Sequence, residues 1–209
     1  MKMTIPESTI HRMPQYIKVL EYLDEGKVLF VTSRDFETHI DVNPSIIRKD
    51  LSYFGEFGVR GKGYSVTGLK QELEKIMGLT GHRTIIIGAG NIGKALTNYK
   101  GFDNIKLKIN AVFDNDERKI GSMINTIPVL DIKTMKAYVE SENIEFVIMA
   151  VPSSIADLVV DQLIDSDIKG IINFTSKFLS VPKRIKVISI NIDTKIMEMF
   201  YFLKKSRMK

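Results

Sequence analysis

Between Thr9 and Leu23, apolar side chains return every third or fourth position, at Ile10, Met13, Ile17, Leu20 and Leu23. This spacing predicts an amphipathic helix with one buried stripe. Gly26 ends it. Thr32 or Ser33 is placed to cap a short second helix reaching about His39, because a hydroxyl there accepts from first-turn amides that lack partners. Asn43 and Pro44 supply a cap and a first-turn proline together, so Ser45 to Phe54 reads as a third helix closed by Gly55. On that helix Ile46, Ile47 and Leu51 are expected to face inward, and Ser45, Arg48, Lys49 and Ser52 outward. Two short helices with a turn at Asp41 to Asn43 have the spacing of a helix-turn-helix. The following FGEFGVRGKGYSV holds two strand-like pieces with Arg60 and Lys62 at a slim glycine tip, a hairpin shaped like a wing. Thr67 is positioned to cap a further helix, Gly68 to Met77, and Gly78 to Gly81 reads as a linker, with the adjoining His82 counted to it.

Past residue 80 the period changes. RTIIIGAGNIGKAL reads as a buried strand, a glycine turn and a helix, and a second strand, Leu107 to Phe113, ends at Asp114. A helix after Asp131, a strand Phe146 to Val151, a helix Ile155 to Ile164 and a strand Ile171 to Phe174 continue the alternation. Short continuous apolar runs separated by helices imply a parallel sheet covered on both faces. Thr194 to Lys205 predicts a last helix with Ile196, Met199, Phe200 and Leu203 on an apolar face.

The 209 residues, 44% hydrophobic and 26% charged, suit folded domains rather than a disordered chain. The absence of cysteine excludes disulfides, thiolate nucleophiles, Cys-ligated zinc and iron–sulfur clusters. The stretch MKMTIPESTIHRM lacks the apolar core of a signal peptide, and no run approaches about 18 apolar residues, so a cytoplasmic protein with no membrane partner is expected. A formal net charge of +5 is too weak to identify a nucleic-acid partner. Its placement says more. Residues 1–80 hold 11 basic and 11 acidic side chains, and most of the excess lies in Lys204, Lys205, Arg207 and Lys209. Within residues 43–64, Arg48, Lys49, Arg60 and Lys62 face only Asp50 and Glu56, a local +2 on a defined helix and wing.

The segment Gly88-Ala89-Gly90-Asn91-Ile92-Gly93 follows a strand and opens a helix. Gly88 suits a tight turn, Gly90 a close approach of backbone to pyrophosphate, and Gly93 close helix–strand packing. Amides at the helix start favour the phosphate charge. Asp114 lies 26 residues after Gly88 at the end of the next strand, where a carboxylate accepts both ribose hydroxyls and repels a 2′-phosphate. The ligand expected is therefore NAD(H), with Arg118 and Lys119 as neighbouring cations. Ala150-Val151-Pro152 and Asn173-Phe174-Thr175 end two later strands at the same sheet edge and are candidates for the nicotinamide side. The histidines, His11, His39 and His82, lie outside those strand ends, and no poised acid or base is evident. No catalytic or metal-binding residue is assigned.

The run IRKDLSYFGEFGVRGKGY, followed by GAGNIGKAL and NYKGF, resembles the redox-sensing transcriptional repressor Rex family. The likeness extends from IPESTIHRM at residues 5–13 to the terminal NIDTKIMEMFYFL. It implies a winged helix-turn-helix domain over residues 1–78, a Rossmann-type doubly wound parallel sheet over 82–190, and a C-terminal helix, 191–209, exchanged between the subunits of a homodimer. It further implies that the winged domains bind an AT-rich inverted-repeat operator and that NADH releases it. Ser33, Ser45, Arg48, Lys49 and Ser52 are then candidates for phosphate and major-groove contacts. Arg60 and Lys62 suit a narrow minor groove. The family switch implies an Asp that alternates between a Tyr near the glycine motif and a basic residue of the first helix. Asp193, Tyr99 and Lys18 occupy those places, with Lys18 where Arg is expected, and a lysine lacks the planar fork. Thr194 and Ser176-Lys177 also depart from the family pattern. The sequence leaves two alternatives open: a small NAD-dependent oxidoreductase with an appended helical domain, and a DNA-binding regulator sensing another adenine ligand such as coenzyme A.

Overall fold

A computed structural model describes residues 5–206. Arg207 and Lys209 of the basic tail, and the first four residues of MKMTIPESTIHRM, lie outside the described residues. Those described form two units that divide between Thr80 and Gly81.

The first unit runs α1 (Glu7–Glu25), β1 (Phe30–Val31), α2 (Ser33–Glu37), α3 (Pro44–Ser52), β2 (Gly58–Val59), β3 (Gly63–Ser65) and α4 (Val66–Ile76). Its core joins Met13, Tyr16, Ile17 and Leu20 of α1 to Phe36, Ile47, Leu51, Leu69 and Leu73. The strands form an antiparallel sheet in the order β1-β3-β2, so the β2–β3 hairpin is a wing beside α3. Gly63 has a φ of +89°, and a β-carbon there would collide with the Val31 carbonyl. Only glycine lets β3 lie this close to β1.

Several local expectations are corrected. The buried stripe of α1 includes Thr9 and Tyr16 while Ile10 is exposed, because a buried carboxylate on α3 requires donors on that face. Of the two capping candidates Thr32 is the one that caps α2, through a reciprocal box with Asp35, but α2 stops at Glu37, short of His39. Ser65 rather than Thr67 caps α4, accepting from the Gly68 amide at 3.3 Å; Thr67 instead donates to Asp24 at 3.1 Å. Ile46 does not face inward. It is 42% exposed, because Ile47, Asp50 and Leu51 define the inward face and one residue back along a helix turns about 100° away.

The second unit carries β4 (His82–Ile87), α5 (Asn91–Thr97), α6 (Gly101–Asn104), β5 (Leu107–Asp114), β6 (Met123–Ile124), β7 (Ile127–Asp131), α7 (Met135–Ser141), β8 (Phe146–Met149), α8 (Ala156–Leu163), β9 (Gly170–Asn173), β10 (Lys186–Ser189) and α9 (Ile192–Ser206). The sheet order is β10-β9-β8-β4-β5-β7-β6, parallel apart from the β6–β7 hairpin. Alternate residues supply two cores. Ile85, Ile87, Val147 and Met149 pack with Val139, Val160 and Leu163 on one face, while Ile86, Val112 and Ile148 pack with Leu96 and Phe102 on the other. His82 opens β4 instead of lying in the linker, and its ring Nδ1 is 2.6 Å from Glu145. β8 ends at Met149 and β9 at Asn173, so Ala150-Val151-Pro152 follows its strand and Asn173-Phe174-Thr175 straddles the end of its own. The β6–β7 hairpin and β10 have no counterpart among the elements predicted from the sequence. Along α9, Ile196, Met199, Phe200 and Leu203 are all exposed. Among the described residues no helix is long and apolar enough to cross a membrane.

Candidate functional site

The chain leaves β4 toward β5 and β7 on one side and returns to β8, β9 and β10 on the other. That reversal opens a crevice at the carboxyl ends of β4, β5 and β8. A cleft of about 520 Å³ lies there, lined by Gly88, Gly90, Asp114, Lys119, Ala150, Val151 and Pro152 of the expected residues. Gly88 has a φ of +107°, and a β-carbon on it would strike the Ala150 carbonyl; the turn requires glycine. Gly90 is the N-cap of α5, and no side chain caps that end. A β-carbon at Gly90 would meet nothing within 4 Å. Open space in front of uncapped first-turn amides is what a pyrophosphate needs. The residues present therefore fit a dinucleotide.

Asp114 is 8% exposed. Its Oδ2 accepts from the Ala89 amide at 2.7 Å and the Lys119 Nζ at 3.1 Å, and its Oδ1 from the Asp116 amide at 2.9 Å. Burial pushes the carboxyl up, but the two amides and the ammonium outweigh it and hold it below the usual carboxylate range. A carboxylate offers about four acceptor sites, and three are used. Accepting both ribose hydroxyls, as expected from sequence, thus requires Lys119 to yield its place. Arg118 is taken up by Asp116 in a two-pronged pair at 2.9 Å, which depresses that carboxyl to about 2.

The remaining expected nucleotide residues sit elsewhere. Ala89 is buried and contributes only its amide, Gly93 packs under Gly88, and Ile92 is exposed outside the cleft lining. Asn91 begins α5. Asn173 is fully buried. Its Oδ1 accepts from the amide and hydroxyl of Thr175, and its Nδ2 donates to the Lys177 carbonyl and the Ser189 hydroxyl. It ties the end of β9 to β10 and to the following loop. Phe174 packs into the core on the α5 side. The apolar wall of the cleft comes instead from Ile132, Ile155 and Val159, with Gln162 beyond. Those residues sit three and four apart, at Ile155, Leu158, Val159 and Gln162, and that helical spacing right after a strand end was the signal that could have found them.

In the first unit, α3 and the wing carry the expected cations. The Arg48 Nη1 donates to the Ser33 hydroxyl at 2.8 Å, which brings two of the candidates together and fixes α2 to α3. Lys49 is exposed; Ser52 donates back to the Lys49 carbonyl, and Ser45 donates to Asn43 at 2.7 Å. Lys62 lies 5.5 Å from the centre of the Phe30 ring, and Arg60 is exposed at the tip. Asp50, counted from sequence against these cations, does not face them. It is 2% exposed and accepts from Thr9 at 2.8 Å, from Arg12 Nε at 2.6 Å and Nη2 at 2.8 Å, and from Tyr16 at 2.6 Å. Burial opposes its charge, yet the bonds from Arg12, Tyr16 and Thr9 hold the carboxyl below its ordinary range. The same contacts raise the Arg12 guanidinium; the Tyr16 hydroxyl is raised by burial first and by Asp50 second. The outer face of α3 and the wing is therefore opposed by Glu56 alone within residues 43–64.

Comparison with known proteins decides the family. The chain is 38% identical over 200 residues to the redox-sensing transcriptional repressor Rex of Listeria welshimeri, covering 95% of this chain and 93% of that one. It is 41% identical over 189 residues to the repressor of the same name from Carboxydothermus hydrogenoformans, covering 90% and 91%. The chain belongs to the Rex family. Within this Rex chain, a family model described as "Putative DNA-binding protein N-terminus" matches residues 4–52, and one described as a CoA binding domain matches residues 80–177. The solved structure of RSP, a Rex-family repressor, in complex with beta-NAD+ and operator DNA superposes with a TM-score of 0.91 at 32% identity, covering 98% of this chain and 95% of that one. The Rex relatives are named as repressors rather than enzymes. The fold is accordingly a winged helix-turn-helix unit followed by a Rossmann-type unit.

The three switch candidates of this Rex chain are all at the surface. Lys18 is paired with Glu21 at 2.6 Å. Tyr99 is exposed and packs edge-on against Phe102, ring centres 5.1 Å apart. Asp193 stands in the first turn of α9, its Oδ1 accepting from the Thr194 amide at 2.9 Å.

Proposed function

We propose that this protein is a cytoplasmic, homodimeric repressor that binds an AT-rich inverted-repeat operator and is released by NADH. The observation that carries it is the pairing, in one chain, of an uncapped glycine turn at the sheet's reversal point with a helix-turn-helix whose outer face bears Lys49 and Arg48. RSP has been solved with beta-NAD+ and operator DNA and, separately, with beta-NADH, the latter at a TM-score of 0.90. NAD(H) and operator DNA are likewise assigned to this chain.

In the nucleotide unit, Gly88, Gly90 and the first amides of α5 hold the pyrophosphate. Asp114 and Lys119 meet the adenosine ribose, and Ala150, Val151 and Pro152 approach the nicotinamide side. In the winged unit, Arg48, Lys49, Ser45 and Ser52 face the major groove while Arg60 and Lys62 enter the minor groove. The exposed apolar face of α9 supports an exchanged helix that is covered in the dimer. Asp193 there alternates between Tyr99 and Lys18, and the latter contact must compete with Glu21. NADH weakens DNA binding only by preferring a dimer geometry in which the two recognition helices no longer match the half-site spacing.

Fluorescence anisotropy on a palindromic AT-rich duplex tests this directly. NADH is expected to lower the affinity and NAD+ to leave it, whereas equal affinity with both would remove the sensing claim. An acyl-CoA arm separates the adenine-ligand alternative: release by acyl-CoA with no response to NADH would favour it.

Asp114→Ala tests the ribose. It is expected to weaken NADH binding about tenfold, the loss of one charge-assisted contact. It also leaves Lys119 without its nearer carboxylate, so the preference for NADH over NADPH should narrow. Titration of both cofactors reads the two effects; unchanged NADH binding would place the ribose elsewhere.

A further inference from the structure

Ile46 stands in the first turn of α3 and is 42% exposed, although a large aliphatic side chain gains most by burial. Folding does not need it there. Ile47 and Leu51 fill the core side of α3, and Asp50 satisfies the donors of α1. Its neighbours on the outer face are Ser45 and Lys49, and Ser45 already donates its hydroxyl hydrogen to Asn43. At the N-terminal turn, the part of a recognition helix that reaches base edges, the side chain with the largest apolar surface is therefore Ile46. It has no donor or acceptor. The one base-edge group in the major groove that an aliphatic side chain recognises is the 5-methyl of thymine.

We infer that Ile46 is a specificity-determining residue that reads a thymine methyl group in each half-site, an inference that rests on the DNA-binding role proposed above. A cation on this helix is indifferent to base identity when it meets a phosphate, so Lys49 positions the helix while Ile46 selects. The apolar contact rewards thymine and penalises cytosine, whose exocyclic amine would lose its hydration against the sec-butyl group without finding an acceptor.

The test uses the full chain without NADH. Duplexes are selected from a randomised palindromic pool, and each thymine is then replaced, symmetrically in both half-sites, by 2′-deoxyuridine, which removes only the methyl group. At one position the wild-type affinity is expected to fall about fifteenfold, about fourfold for each methyl group. Ile46→Ala should lower affinity for the parent duplex by a similar factor and abolish its uridine dependence, with its thermal melt unchanged because the site is exposed. Wild-type indifference to every uridine, or a variant as sensitive to uridine as wild type, would overturn the inference while leaving DNA binding intact. Failure to select any duplex would overturn both.

Discussion

Asp50→Ala is expected to destabilise the winged unit by about 3–5 kcal/mol, the loss seen when one partner of a buried charge pair is removed, and to abolish operator binding. The carboxylate gathers four donated hydrogen bonds from three residues of α1, two of them from the Arg12 guanidinium. Deletion leaves a guanidinium, a buried phenol and a hydroxyl facing a cavity. Asp50→Asn is expected to fare little better, because its one acceptor oxygen replaces two and its NH2 group confronts donors. Urea denaturation followed by circular dichroism should show the first transition moved to lower denaturant, while NADH affinity, set by the Rossmann-type unit, is retained. A variant with wild-type melting would mean that the network adds nothing to stability.

The same network sets an acid limit. The Asp50 carboxyl lies below its ordinary value in the folded chain, so its contribution is full above the unfolded value of about 4. It is lost as pH falls through the lower folded value, because the unfolded chain binds the proton more readily. Asp50→Asn should remove this part of the acid dependence. The functional consequence follows from position: Asp50 is flanked by Lys49 and lies one helical turn after Ile46, so the bonds to α1 orient the surface proposed above to meet DNA. Asp50 is a positioning residue.

How much of this was legible in the sequence differs from site to site. The glycine turn and its flanking strands were plain, because Gly88 and Gly93 answer local steric requirements, Gly90 leaves open space between them, and short-range spacing records all three. The helix-turn-helix was plain for the same reason, with Asn43 and Pro44 marking the start of α3. Asp50 was misread because a carboxylate between Lys49 and Leu51 gives no local sign that its partners are Thr9, Arg12 and Tyr16, some forty residues earlier. Polar groups at spacings of three and four along α1, at Thr9, Arg12 and Tyr16, were the available sign. Ile46 was misassigned for a related reason. Two consecutive isoleucines cannot both point inward on one helix, and only the tertiary position of α1 and α2 decides between them. Asn173 has the opposite history: its place at a strand end suited a ligand, but its side chain is consumed by Thr175, Lys177 and Ser189. The apolar wall from α8 is not legible from strand ends, which mark Ala150 to Pro152, because it lies on the helix that follows the strand.

Gly93→Ala and Gly90→Ala, two single-methyl changes three residues apart, should separate packing from ligand binding in the nucleotide unit. At Gly93 the new β-carbon would overlap the Gly88 carbonyl oxygen and crowd Ile86. Because the obstacle is backbone, α5 must move off β4 and both the turn and the amides of the phosphate cradle move with it. Overpacking of this kind costs about 1–3 kcal/mol and sometimes more, so the melting temperature of the apo protein should fall and NADH binding should be lost together. At Gly90 the β-carbon meets nothing within 4 Å, and the residue's φ of −81° is open to alanine. The apo melt should therefore stay at the wild-type value. The methyl group nevertheless projects into the space that the pyrophosphate has to occupy, so NADH affinity is expected to fall tenfold or more, about 1.4 kcal/mol for each decade. Operator binding by Gly90→Ala should persist and become unresponsive to NADH, uncoupling the two units without unfolding either. If Gly90→Ala binds NADH as wild type does, the pyrophosphate does not cross this amide, and the nucleotide assignment made from the glycine turn is wrong.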